Sequence, residues 1–245
     1  MPDAPAQPLR APTRTDRVAA ADGDFDLHVW LPASGNGPGL LLIQEIFGVG
    51  PYIRSVATRL ADLGYVVAAP DLFWRFRRNW EADHDEAGLT ESFQLVQQLD
   101  FEQAVADCNL ALAHLGAMAE TGGRPGVIGF CLGGTLGWAV AVSGEPAAVV
   151  SYYGSGVADN LAGIDAVTCP VLFHLGGADT FMPAAEHAER IRAAVADRPD
   201  IELVVHDGAG HAFDNHEAPM FHDPEAAGRA WQQTVDFLGR HLPGG

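Results

Sequence analysis

Short, dense apolar runs alternate along this chain with longer stretches in which apolar residues recur every three or four positions. The first pattern marks strands buried on both faces, and the second marks helices that cover them. Residues 24–31 alternate apolar and polar side chains and predict a half-exposed strand, whereas 39–43 are continuously apolar and predict a buried one. A helix is expected over 53–63, stopped by Gly64, and a buried strand over 65–69. Beyond it, strands at 125–130, 147–152, 171–175 and 201–206 interleave with helices at 136–142, 183–196 and 224–241. A long helical stretch over 91–118 carries a break near Asp100. This alternation requires a mostly parallel sheet with helices on both faces, an α/β fold. There is no internal repeat or linker, so one domain is expected over 17–245, preceded by an Ala- and Pro-rich disordered tail over 1–16. Residues 71–90 break the rhythm: Phe73, Trp74, Phe76 and Trp80 stand among arginines and acids with no period. A solvated connection would not carry four large aromatics, so this segment reads as a cap over a site.

Composition narrows the classes. The 245 residues suffice for one α/β domain with a substantial core. No run approaches a membrane span, and the N-terminal segment lacks the apolar stretch of a signal peptide. All 14 basic residues are arginine, against 32 acids, for a net charge of −18. Such a surface repels nucleic acid and anionic membranes, so neither is expected as a partner. The cysteines, Cys108, Cys131 and Cys169, are odd in number and widely spaced, which predicts no disulfide framework and a reduced, cytoplasmic setting.

The chemistry begins at Gly129-Phe130-Cys131-Leu132-Gly133, a G-x-C-x-G stretch between a predicted strand and a predicted helix. That context makes it a nucleophile elbow, with cysteine in place of serine and the Leu132 N–H free to face an oxyanion. Asp179 and His211 follow in loops directly after the apolar runs 170–175 and 201–206. Strand C-termini are where open parallel sheets bind ligands. Nucleophile, then acid, then histidine is the chain order of α/β-hydrolases. The histidine would move the proton, and the aspartate would hold its tautomer. His206, His211, His216 and His222 also form a ladder that could suggest a metal, but they lie across a strand and a loop and read as solvated residues around one working histidine.

Further segments carry a resemblance. Gln44-Glu45-Ile46-Phe47-Gly48, the Pro70-Asp71-Leu72-Phe73 step, Ser151-Tyr152-Tyr153-Gly154 and the 208–213 stretch, together with the elbow, resemble motifs of the dienelactone hydrolase (carboxymethylenebutenolidase) family in the right order. The resemblance implies an α/β-hydrolase fold and hydrolysis of a small ester or lactone without metal or organic cofactor. A monomer or small homo-oligomer is expected. The resemblance gives Glu45 the role of accepting the thiol proton or holding Cys131 at rest, and gives the Ile46 N–H a share in the oxyanion hole. Family members that act on dienelactone hold its carboxylate with two arginines, a tyrosine and a serine. Leu89, Asn215, Phe93 and Ala212 stand at those positions here. The expected substrate is therefore a more apolar ester, or a lactone with a different polar handle, with Arg75, Arg77 and Arg78 of the cap left as the cations that could compensate. Tyr153 and Phe47 are further candidates for the pocket wall. The alternatives are a non-catalytic ligand-binding relative, which the altered carboxylate site would allow, and a thiol redox sensor, which lacks a resolving cysteine.

Overall fold

The computed structural model describes residues 9–242. These form an eight-stranded sheet in the order β1-β2-β4-β3-β5-β6-β7-β8. The strands are β1 (Arg14–Ala20), β2 (Gly23–Trp30), β3 (Gly37–Ile43), β4 (Val66–Pro70), β5 (Thr121–Phe130), β6 (Val149–Tyr152), β7 (Val171–Gly176) and β8 (Ile201–His206). The pairs β1–β2 and β2–β4 are antiparallel, and every other pair is parallel.

Side chains of a strand point alternately to opposite faces, and both faces here are dry. Leu41, Ile43, Val127, Val149 and Phe173 pack in the cluster that includes Cys108 and Leu115 of α3 (Phe101–Ala117), Leu136 and Trp138 of α4 (Leu132–Ser143), and Ile191 of α5 (Ala184–Ala194). Leu40, Leu42, Ile128, Val150 and Leu172 pack on the other face with Ile53 and Val56 of α1 (Pro51–Asp62) and Phe237 of α6 (Pro224–His241). Continuous apolar runs in the sequence are thus explained by burial on two sides. Among the described residues, no helix is long and apolar enough to cross a membrane.

Three expectations change. The disordered tail expected over 1–16 does not hold at residues 14–16, which belong to β1; residues 1–8 lie outside the described region. That strand sits at the sheet edge, where Arg14 pairs with Asp16 and Glu120, and Arg17 with Asp24 and Asp26. Its apolar signal is weak because only one of its positions is buried. The helix expected from 91 starts five residues sooner, as α2 (Glu86–Val96), capped by Asp85, whose side chain accepts the Gly88 N–H. The anticipated break is real: Asp100 caps α3 through the Gln103 N–H.

The third change concerns the cap. The aromatics of 71–85 turn inward instead of covering the site. Trp74 enters the main core and donates its indole N–H to buried Asp107 at 2.8 Å, and Phe73 and Trp80 pack with Leu95. The wall over the site comes from α2 and Phe101 instead.

Candidate active site

The elbow is built by what its neighbours leave no room for. A Cβ on Gly129 would collide with the Gly133 carbonyl, and one on Gly133 with the Ile43 carbonyl. Between them Cys131 takes φ +54°, a conformation that costs an L-residue about 1–3 kcal/mol and survives only where its surroundings enforce it. Its N–H is held by the Tyr152 carbonyl at 3.0 Å. Leu132 opens α4, so its N–H has no acceptor within the helix. The Cys131 sulfur therefore stands beside a free backbone donor at a helix N-terminus.

The loops after β7 and β8 complete the arrangement. His211 Nε2 lies 3.1 Å from Cys131 Sγ, and His211 Nδ1 lies 2.7 Å from Asp179 Oδ2. The other Asp179 oxygen accepts the Phe181 N–H at 2.8 Å, which orients the carboxylate. Burial alone would pull the His211 pKa down. The Cys131 charge and the hydrogen bonds to Asp179 and Cys131 outweigh it and raise the value to about 10. The other two cysteines are different. Burial pushes Cys108 far up and Cys169 up to about 11, so neither is a nucleophile at neutral pH.

These groups open on a cavity of about 460 Å³. Glu45, Ile46, Phe47, Leu89, Phe93, Leu132, Ala212 and Asn215 all line it. Tyr153 does not: it is fully buried, its ring packed 5.3 Å from that of His211 and its hydroxyl 3.1 Å from that of Tyr52. It supports the histidine and leaves the cavity wall to others. Phe213, which could have been wall, lies in the core. Also lining the cavity, and not foreseen from the sequence, are the apolar Val96, Phe101, Phe181 and Phe221 and the smaller or polar Thr135, Ser155, Gly156 and Asn160. Of these only Phe181, two residues after the acid, carried a positional signal.

Glu45 is placed differently from its expected role. Its carboxylate takes hydrogen bonds from His84 Nε2 at 2.8 Å and from Asn215 Nδ2 at 3.2 Å to each oxygen, while Cys131 is paired with His211. Asn215 thus spends its amide on Glu45. The compensating arginines are also engaged elsewhere. Arg75 is clamped by Asp22 and Asp107, Arg78 by Asp24, and Arg77 lies over Trp80. None of the three lines the cavity, and its described lining holds no arginine at all.

The histidine ladder splits apart. His206 is buried, 3.1 Å from His174, which in turn reaches Thr234, so it is not a solvated residue. His216 lies edge-on to Tyr52.

The model of the dienelactone hydrolase family matches residues 25–242. A carboxymethylenebutenolidase of Pseudomonas sp. strain P51 is 37% identical over 226 residues, covering 92% of this chain and 94% of that protein. The carboxymethylenebutenolidase of Pseudomonas putida is 33% identical over 223 residues, 90% and 94% of the two chains. In fold, the chain is similar to a dienelactone hydrolase-like promiscuous phosphotriesterase from metagenomic libraries, with a TM-score of 0.79, 22% identity, and coverage of 94% of this chain and 98% of that one. With the parallel sheet and the elbow at its strand ends, these matches place the chain in the dienelactone hydrolase family of α/β-hydrolases.

Proposed function

We propose that the chain hydrolyses a small, uncharged carboxylic ester or lactone through a thioester on Cys131. The observation that carries this reading is the 3.1 Å and 2.7 Å chain from Cys131 through His211 to Asp179, open to a cavity without arginine. The raised His211 pKa keeps a proton on the imidazole beside the sulfur, and the thiolate is the attacking species. Its electron pair forms the C–S bond, and the carbonyl oxygen takes the negative charge between the N–H groups of Leu132 and Ile46. As the intermediate collapses, the imidazolium gives its proton to the leaving alkoxide, which in a lactone stays tethered to the acyl group. The neutral histidine then takes a proton from water, and the resulting hydroxide displaces the thiolate and frees the acid.

The cavity argues for the substrate class. Leu89, Phe93, Val96, Phe101 and Phe181 give it a largely apolar wall. A substrate carboxylate would find no guanidinium to hold it. The test is initial-rate hydrolysis of p-nitrophenyl acetate, neutral lactones and dienelactone, before and after iodoacetamide. Turnover should fall in step with alkylation of Cys131, with neutral substrates ahead of dienelactone. Full activity in Cys131→Ala would overturn the mechanism.

A further inference from the structure

We infer that His84 is a positioning residue: it holds the Glu45 carboxylate clear of the Cys131 sulfur, so that the Cys131–His211 pair stands assembled before substrate enters. The inference rests on the reading of Cys131 as the nucleophile. Glu45 and Cys131 border the same cavity, and a carboxylate can only accept hydrogen bonds. In a cavity shared with a thiol, a carboxylate that loses its other donors can take the S–H, and a thiol bound there is withheld from the histidine.

The donors that prevent this are well fixed. The side chains of His84 and Glu45 are 6% and 3% exposed, and His84 Nε2 lies 2.8 Å from Oε1. Asn215 supplies one amide to both oxygens, and its own oxygen is pinned by the Glu217 N–H at 3.0 Å, which sets the direction of the amide. His84 reaches the site from the segment before α2, and two features hold it there. Its ring stacks on Phe47 with centroids 4.2 Å apart. The backbone of its segment is stitched to the Glu45 loop by the Ala82 N–H to Phe47 carbonyl bond at 3.3 Å and the Gly48–Glu81 bridge. Gly48 has φ +82°, and a Cβ there would strike the Trp80 carbonyl, so the two strands of this contact approach as closely as backbone permits. His84 thus clamps Glu45 from outside the triad and touches none of the triad side chains by hydrogen bond.

The test reads the thiol directly. Iodoacetamide alkylation of Cys131 and the kcat and KM for p-nitrophenyl acetate are compared in wild type, His84→Ala, His84→Gln, Glu45→Ala and the Glu45→Ala/His84→Ala double variant. Loss of a hydrogen bond to a charged group should slow alkylation and lower kcat about tenfold in His84→Ala, with KM within about twofold. His84→Gln, which keeps a donor N–H, should recover most of both. Without Glu45 the His84 substitution should have no effect on either rate. Wild-type alkylation in His84→Ala, or an equal loss in the Glu45→Ala background, overturns the inference. If His84→Ala does not fold, His84→Phe keeps the ring on Phe47 without the donor and carries the same comparison with His84→Gln. Alkylation does not depend on ester turnover, so absent hydrolysis would sink the functional reading while leaving the role of His84 to the alkylation rates.

Discussion

Asp214 is fully buried, and its protonation should be visible in the stability of the whole chain. It sits three residues after His211 and accepts the Tyr52 hydroxyl at 2.8 Å. Burial raises its pKa from 3.8 to about 6, against the opposing pull of Arg59 and the Tyr52 hydrogen bond. A carboxyl whose folded pKa lies above its unfolded one binds more protons when folded. Stability from this group is therefore greatest below the unfolded pKa and falls as pH rises toward about 6. Two pKa units correspond to about 3 kcal/mol, and the full loss is reached above pH 6. Asp214→Asn keeps an oxygen for Tyr52 but cannot ionise. Its amide N–H would lack a ready partner, a penalty of about 1–3 kcal/mol that is independent of pH. Urea unfolding at pH 4, 5, 6 and 7 separates the two terms. Relative to wild type, Asp214→Asn should gain up to about 3 kcal/mol between pH 4 and pH 7. A stability difference that does not change with pH refutes the account of Asp214 as a buried, reluctantly ionised acid.

Other expectations follow from the same geometry. In Cys131→Ala the His211 imidazole loses the charge that opposes its burial, so its titration followed by NMR should move well down from about 10; an unmoved titration would mean the thiol is not its partner. Leu89→Arg puts a guanidinium at the wall of the cavity and should raise kcat/KM for a carboxylate-bearing lactone over a neutral one by roughly ten- to a hundredfold; an unchanged ratio argues that the cavity does not hold the acyl group. Gly133→Ala should lower the unfolding midpoint measurably, since its new methyl meets the Ile43 carbonyl, and wild-type thermal stability would count against the tightness of the elbow.

The residues that were legible in the sequence are those whose position follows from local pattern. Cys131, Asp179 and His211 each close a dense apolar run, and strand C-termini in a parallel sheet converge on one edge, so order and spacing sufficed to bring them together. β1 was not legible because an edge strand with alternating charges and one buried position looks like any polar segment. The aromatics of 71–85 were legible as buried but not as to where, since an aperiodic segment does not say which face it packs on. His84 gave no signal at all. Its partner lies 39 residues away, and the pairing exists only through the stitching of two irregular segments. Tyr153, expected at the cavity wall, has φ +39°, and its ring ends up against His211.

That last departure bears on how the site is held together. Of the described non-glycine residues with positive φ, Cys131 belongs to the Cys131–His211–Asp179 group, and Tyr153 and Ala212 lie against or next to His211. Each costs about 1–3 kcal/mol, so their clustering has to be offset by structure nearby. The Cys131 N–H is bound to Tyr152 of β6, and the Tyr153 N–H to His174 of β7 at 2.7 Å, so both strained residues hang from inner strands of the sheet. The Tyr153 hydroxyl meets Tyr52 of α1, which is itself bound to Asp214 in the loop of His211. Sulfur, imidazole and acid are therefore held by a strained backbone anchored in a core that is packed on both faces. Such an arrangement needs no substrate to assemble it.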